Sequence, residues 1–260
     1  MKKPPIIIAN WKGYIETSDD AKKFAVALKR RPKLFSFAEV MIAPSYTLVP
    51  ALVPLFIKSK VKVGAQTVSA SAGGAHTGDV TALMLKSVGA SFVIVGHSER
   101  RFGAPRESED MVHEQLLRAS DSGLGVVLCV GEQERDPGGA HFAAIAQEIT
   151  SALAGLSQKA LAKLIIAYEP VWAIGKTAAD AMRPGDAEEM VIFIRKTLAS
   201  VPGLGREGAL KVPILYGGSV EEENVAQLYK ESGVAGFLVG HASAQIDSFS
   251  NILQALQESK

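Results

Sequence analysis

The sequence predicts an α/β protein of one domain over residues 1–260, an eight-stranded parallel (β/α)8 barrel, on three observations. Short, continuously apolar runs recur along the chain. Amphipathic, helix-favouring segments lie between them. No Pro/Ser-rich linker or low-complexity stretch divides the chain. Strands covered on both faces by crossover helices read as unbroken apolar runs rather than as alternating ones, and that is the pattern here. The alternative is an open doubly wound sheet. No G-x-G-x-x-G follows the first run, which argues against its dinucleotide-binding version.

The expected strands, in order, are PIIIAN (5–10), AEVMIAP (38–44), VKVGAQ (61–66), FVIVGH (92–97), GVVLCVGE (125–132), LIIAYEP (164–170), VPILYGGS (212–219) and GFLVGHAS (236–243). Helices are expected over Ser18–Arg31, Ser108–Ser122, His141–Leu156, Pro184–Ser200, Glu221–Lys230 and Ser248–Glu258. Ser18 with Asp19 opens the first of these, and Pro184 with Asp186 opens another, because capping side chains and a first-turn proline suit a helix start.

Composition narrows the function. A hydrophobic content of 47% suits a buried core, and a net charge of +1 leaves no electrostatic footprint for nucleic acid or an acidic membrane. The single cysteine, Cys129, excludes an internal disulfide, favours a reducing compartment and reads as an inert core thiol. The apolar run after Met1 is broken by Asn10 and Lys12, too short for a signal peptide, and no apolar stretch is long enough to span a bilayer. A soluble, cytoplasmic protein is the expectation. No metal-ligand spacing, G-x-S-x-G elbow or Walker loop is present, so neither metal nor cofactor is expected.

The polar residues fall just past strand ends. Asn10 and Lys12 follow strand 1. His97, Ser98 and Glu99 follow strand 4. Glu169 follows strand 6, Gly217, Gly218 and Ser219 follow strand 7, and Gly240 with His241 follows strand 8. In a parallel barrel these ends share one rim, where barrel active sites are built. Each residue alone has a plainer reading: Lys12 a solvated charge, His97 a structural histidine, the glycines ordinary turns, and Glu99 to Arg101 an ion-pair cluster. Their joint placement carries the functional reading. Ser98 and Glu99 can open a short helix after His97, whose positive end favours a neutral imidazole. Paired glycines after strands 7 and 8 offer backbone N–H groups to a phosphate. A carboxylate, an imidazole, an ammonium and a phosphate cradle suit proton abstraction beside the carbonyl of a small phosphorylated sugar. Glu169 would take the proton from carbon, His97 would polarise the carbonyl and shuttle protons, and Lys12 with Asn10 would stabilise the enediolate. The segment AYEPVWAIGK (167–176) places Trp172 and an apolar loop directly after Glu169, as a lid that closes over a base and excludes water.

The motifs NWK (10–12), GAQTVS (64–69), HTGD (76–79), GHSERR (96–101), CVGE (129–132), AYEPVWAIG (167–175), YGGSV (216–220) and LVG (238–240) resemble those of the triosephosphate isomerases in order and spacing over the whole chain. That family is itself a standard example of a Glu base with a neutral His electrophile, so this assignment is not independent of it. The resemblance implies interconversion of dihydroxyacetone phosphate with glyceraldehyde 3-phosphate, in glycolysis and gluconeogenesis. Asn10, Lys12, His97 and Glu169 are then the catalytic set. Gly175, Gly218, Ser219, Gly240 and His241 hold the phosphate, and Ser98, Glu99 and Tyr216 support the site. It also implies a homodimer in which the loop 66–79, with Thr77, inserts into the neighbouring subunit beside the lysine. Three positions depart from the family pattern. In the lid, Ile174-Gly175 runs straight into Lys176-Thr177-Ala178, without the usual Thr-Gly pair, and residues 179–183 lengthen the connection to Pro184. His241 stands where a second glycine is usual, a substitution that is strained where φ must be positive. Thr67 stands where Asn or Asp is usual. The alternatives are an isomerase of a four-carbon ketose phosphate and a sugar-phosphate-binding barrel without chemistry.

Overall fold

The computed structural model describes residues 3–104, 106–176 and 181–259. Its strands are β1 (Ile6–Asn10), β2 (Glu39–Ala43), β3 (Lys62–Val63), β4 (Phe92–Val95), β5 (Gly125–Val130), β6 (Leu164–Tyr168), β7 (Ile214–Tyr216) and β8 (Gly236–Val239). All pair in parallel, in the order β3-β2-β1-β8-β7-β6-β5-β4. The two ends meet beyond β3. Ala65 bridges Val93, its N–H donating to Phe92 O at 3.0 Å and its carbonyl accepting from Ile94 N–H at 2.9 Å. The sheet therefore curls round on itself as the (β/α)8 reading expects.

The unbroken apolar runs are explained by two cores. Ile6 and Ile8 of β1 join Met41, Phe92, Ile94, Val127, Cys129, Ala167, Leu215 and Leu238 inside the barrel. Ile7 and Ala9 point outward, under the helices. Alternate residues of one strand thus both meet apolar neighbours, and neither face can be polar. Cys129 is free and fully buried among these residues.

The outer layer includes α1 (Ser18–Lys29), α2 (Val49–Phe56), α3 (Ala82–Ser87), α4 (Glu109–Asp121), α5 (Ala140–Leu153), α6 (Pro184–Ser200), α7 (Glu222–Glu231) and α8 (Ile246–Glu258), with shorter helical turns between them. The sequence gives six of these eight directly. α2 carries Pro50 and Pro54 and has no polar stripe, so neither propensity nor periodicity marks it. α1 starts at Ser18 as expected, but its cap is Thr17 rather than Ser18 or Asp19. Thr17, extended at φ −111°, ψ 148°, is the cap, and its hydroxyl accepts from Asp20 N–H. Pro184 does occupy the first turn of α6, where Asp186 pairs with Arg183 rather than capping. Apart from β1, which lacks only Pro5 at its start, each strand stops before the end of its apolar run, whose last residues leave the ladder at the rim. None of the described helices is long and apolar enough to cross a membrane.

Candidate active site

The rim at the carboxyl ends of the strands encloses a cavity of about 490 Å³. Asn10, Lys12, His97, Glu99, Glu169, Gly175, Gly217, Gly218, Ser219, Gly240 and His241 all line it, so the structure brings together residues from β1, β4, β6, β7 and β8. Ser98 and Tyr216 lie just behind them.

Lys12 has the one positive φ of a non-glycine residue among the described residues, 47°. Such a conformation persists only where neighbours impose it. Three contacts do so. Its N–H reaches Asn10 Oδ1 at 3.2 Å, its carbonyl accepts from Gln66 Nε2 at 2.8 Å, and its ammonium meets Glu99 Oε1 at 2.6 Å. Gln66 also donates to Ala43 O at 3.0 Å, which pins the lysine turn to the end of β2. Gln66 is a site residue that sequence reasoning did not single out; only the fold puts it under Lys12. Burial raises and Lys12 lowers the Glu99 carboxyl, with a net displacement below its ordinary value. The cluster expected over Glu99–Arg101 is divided: Glu99 serves Lys12, whereas Arg101 turns inward to Glu109 and the Gly96 carbonyl.

His97 caps the short helix Ser98–Arg101, its Nδ1 accepting from Glu99 N–H at 3.2 Å. An accepting Nδ1 carries no proton, so the ring's hydrogen sits on Nε2, which the network directs at Glu169 Oε1, 3.3 Å away. Glu169 is 2% exposed. Its Oε2 accepts from Ser98 N–H at 2.9 Å, which gives Ser98 its supporting place. Burial, and then Glu169 itself, hold the Cys129 thiol well above its usual range, so it is protonated at neutral pH.

The lid begins at Pro170. Trp172 Nε1 donates to Glu132 Oε1 at 2.9 Å, the Tyr168 hydroxyl donates to the same carboxylate at 2.8 Å, and Arg135 Nε lies 3.1 Å from it. The Arg135 guanidinium also lies over the Trp172 ring, 5.9 Å from its centroid. Glu132 and Arg135 thus hold the root of the lid, a role visible only once β5 and β6 are neighbours. At its other end, Lys176 N–H donates to Ser219 Oγ at 2.9 Å and Ser219 N–H to Ala173 O at 3.3 Å. Burial pushes the Tyr216 phenol up, and the Met182 backbone N–H opposes that. Gly218 must lack a side chain, since a Cβ would sit 2.3 Å from the Tyr216 oxygen. Of the rest of the lid departure, residues 177–180 lie outside the described residues, while Met182 is buried and Arg183 pairs with Asp186.

His241 begins a 3-10 turn after Gly240, and its φ is not positive, so the strain attached to losing glycine there does not arise. Its ring meets Tyr14 edge-on at 4.8 Å, and both line the cavity. Thr67 lies away from this site. It lines a second cavity of about 550 Å³ between the loop 66–79 and α4, near the exposed Thr77. Among the described residues, no group of three or more His, Cys, Asp or Glu could hold a metal ion.

A triosephosphate isomerase family model matches residues 5–256. The chain belongs to the triosephosphate isomerase family. It is 41% identical to the triosephosphate isomerase of Treponema denticola over 94% of this chain and 95% of that protein. It is 40% identical to that of Moorella thermoacetica, over 96% and 97%. The enzyme of a Roseiflexus species shares 37% identity over 97% of each chain. Membership in this family makes the chain an isomerase. In such a barrel the cavity above the strand ends is the place for chemistry.

Proposed function

We propose that this chain interconverts dihydroxyacetone phosphate and D-glyceraldehyde 3-phosphate by proton abstraction through an enediolate, without metal or cofactor. The observation that carries the reading is the convergence of a buried carboxylate, an Nε2-protonated imidazole and a braced ammonium on one cavity. Glu169 removes the proton from the carbon beside the carbonyl. His97, donating from Nε2, polarises the carbonyl and returns the proton to the other oxygen. Lys12 and Asn10 hold the negative charge that develops. Releasing Glu169 from Ser98 N–H frees it to reach carbon. The backbone N–H groups near Gly175, Gly218, Ser219, Gly240 and His241 receive the phosphate, and the apolar lid excludes water while the enediolate exists. The site needs nothing that the family's glycolytic and gluconeogenic reaction does not supply, and the free, buried Cys129 suits the cytoplasm.

A homodimer belongs to the same reading. The second cavity contains buried oxygens with no partner among the described residues, Glu107 Oε2 and Gln115 Oε1, beside the loop residues Ser69–Ala72. Tyr46 and Met111, which line it, are exposed. A second copy of the chain, inserting its own loop there, would pair the oxygens and cover the apolar side chains.

The test is a coupled isomerisation assay comparing glyceraldehyde 3-phosphate with D-erythrose 4-phosphate. Turnover of the triose is expected, and Glu169→Gln should lower it by at least roughly 10²-fold, the low end for a positioned base. Equal turnover in that variant would remove Glu169 from the reaction. A preference for the tetrose would move the reading to a four-carbon substrate.

A further inference from the structure

Behind the base lies a carboxylate that the reaction above does not use. Glu148, half-buried on α5, accepts a hydrogen bond from Gly131 N–H at 2.9 Å. Gly131 is the first residue past β5, and it lies flat against the base: a Cβ there would sit 1.9 Å from the Glu169 carbonyl oxygen. Glu169 N–H in turn donates to Val130 O at 2.8 Å. The backbone of the base therefore rests on residues 130 and 131, and Glu148 holds 131 from the far side.

The charged and titratable groups facing Glu148 come from every element around it. They are Arg101 on the short helix after β4, Glu109 on α4, Cys129 on β5 and Glu169 past β6. Arg101 is occupied elsewhere. Its Nε donates to Gly96 O at 2.7 Å, Nη2 to Cys129 O at 3.4 Å, and Nη1 pairs with Glu109. Among the described residues Glu148 has no ion pair of its own.

We infer that Glu148 is a positioning residue for the base: its carboxylate clamps the Gly131 amide and so holds the end of β5 on which Glu169 is seated. The inference rests on Glu169 being the base. Burial pushes the Glu148 carboxyl up to about 7, against Arg101 and the Gly131 N–H, which lower it, and with Glu109 and Glu169, which raise it further. The sign follows from linkage. A carboxyl raised in the folded state destabilises the fold once the unfolded chain ionises, so the cost is absent below about 4.5, grows as pH rises from there to about 7, and is complete above it. The clamp runs the other way, because an ionised acceptor makes the stronger hydrogen bond. A group whose ionised form costs stability while it tightens the seat of a base trades stability for function.

The experiment is a pair of profiles from pH 5.5 to 8.5 on the whole enzyme and on Glu148→Gln, whose amide oxygen still accepts from Gly131 but carries no charge. At pH 8.5 kcat of the Gln variant should be lower by about fivefold, the difference between a charged and a neutral acceptor, with KM unchanged. The two kcat values should converge at pH 5.5. The Gln variant should melt above the parent at pH 8.5, with a gap that is level above about pH 7 and narrows towards pH 5.5. Glu148→Ala should be slow at both ends, because it has no acceptor. A ratio of activities constant with pH would reduce Glu148 to a merely structural residue and overturn the inference, as would identical melting profiles. Glu169→Gln is assayed alongside. If that variant remains active, the base assignment fails, whereas the melting profiles still report on Glu148.

Discussion

A single strained residue shows how this site is assembled. Lys12 keeps its positive φ because Asn10, Gln66 and Glu99 fix its N–H, its carbonyl and its ammonium. Gln66 is the least replaceable of these braces, since one side-chain amide satisfies two carbonyls. Gln66→Ala leaves the Lys12 carbonyl without its donor, whereas Ala43 O keeps the Trp11 N–H at 3.1 Å. The substitution should cost about 1–3 kcal/mol of stability, the usual range for an orphaned buried group. It should also lower kcat, because the lysine turn relaxes towards an ordinary φ. Thermal melting and steady-state kinetics on one preparation check both. Unchanged kcat with a lowered Tm would show that Lys12 keeps its place without the brace.

At the scale of one element, the segment 170–176 is tied at both ends by side chains from beyond other strands. The Glu132 carboxylate gathers Tyr168, Trp172 and Arg135 at its root, and Ser219 takes the Lys176 amide at its tip. Ser219→Ala removes the acceptor at the tip. One hydrogen bond is worth about 1 kcal/mol net, so Tm should fall slightly and, where closure depends on the bond, kcat/KM should fall by about fivefold. The shortened Ile174-Gly175-Lys176 segment still carries its amide to Ser219, so the missing Thr-Gly pair does not break this tie. A kcat/KM equal to the parent's would mean that this contact adds nothing to closure.

For the whole molecule, the barrel closes through β1–β8 pairing and the Ala65–Val93 bridge, and the cavity at its rim is lined within one chain. In the proposed dimer the second cavity receives the neighbour's loop. Deleting Ser69–Ala75, or replacing Thr77 by Arg, should give a monomer by light scattering. Activity should fall with it, because the cavity and Lys12 share the loop that starts at Gln66. A dimeric mass for the loop-deleted protein would remove the loop from the interface.

The sequence by itself determined the barrel, most of its helices and the residues on its rim. Apolar runs of period one and amphipathic segments are local signals, and a strand end followed by Glu169 or His97 is visible in one dimension. It set the start of α1 at Ser18 but misplaced its cap, because a run of Thr, Ser and Asp offers several and only backbone conformation selects Thr17. It passed over α2, whose two prolines mask a helix held by burial. Only the tertiary structure decided which polar groups meet. Glu99 reaches Lys12 rather than Arg101, Gln66 lies beneath Lys12, Glu132 beneath Trp172, and Glu148 behind Glu169. Each of these pairs joins residues many positions apart. Hydrogen bonds of that kind depend on distances of a few tenths of an ångström, which packing sets and sequence patterns do not encode.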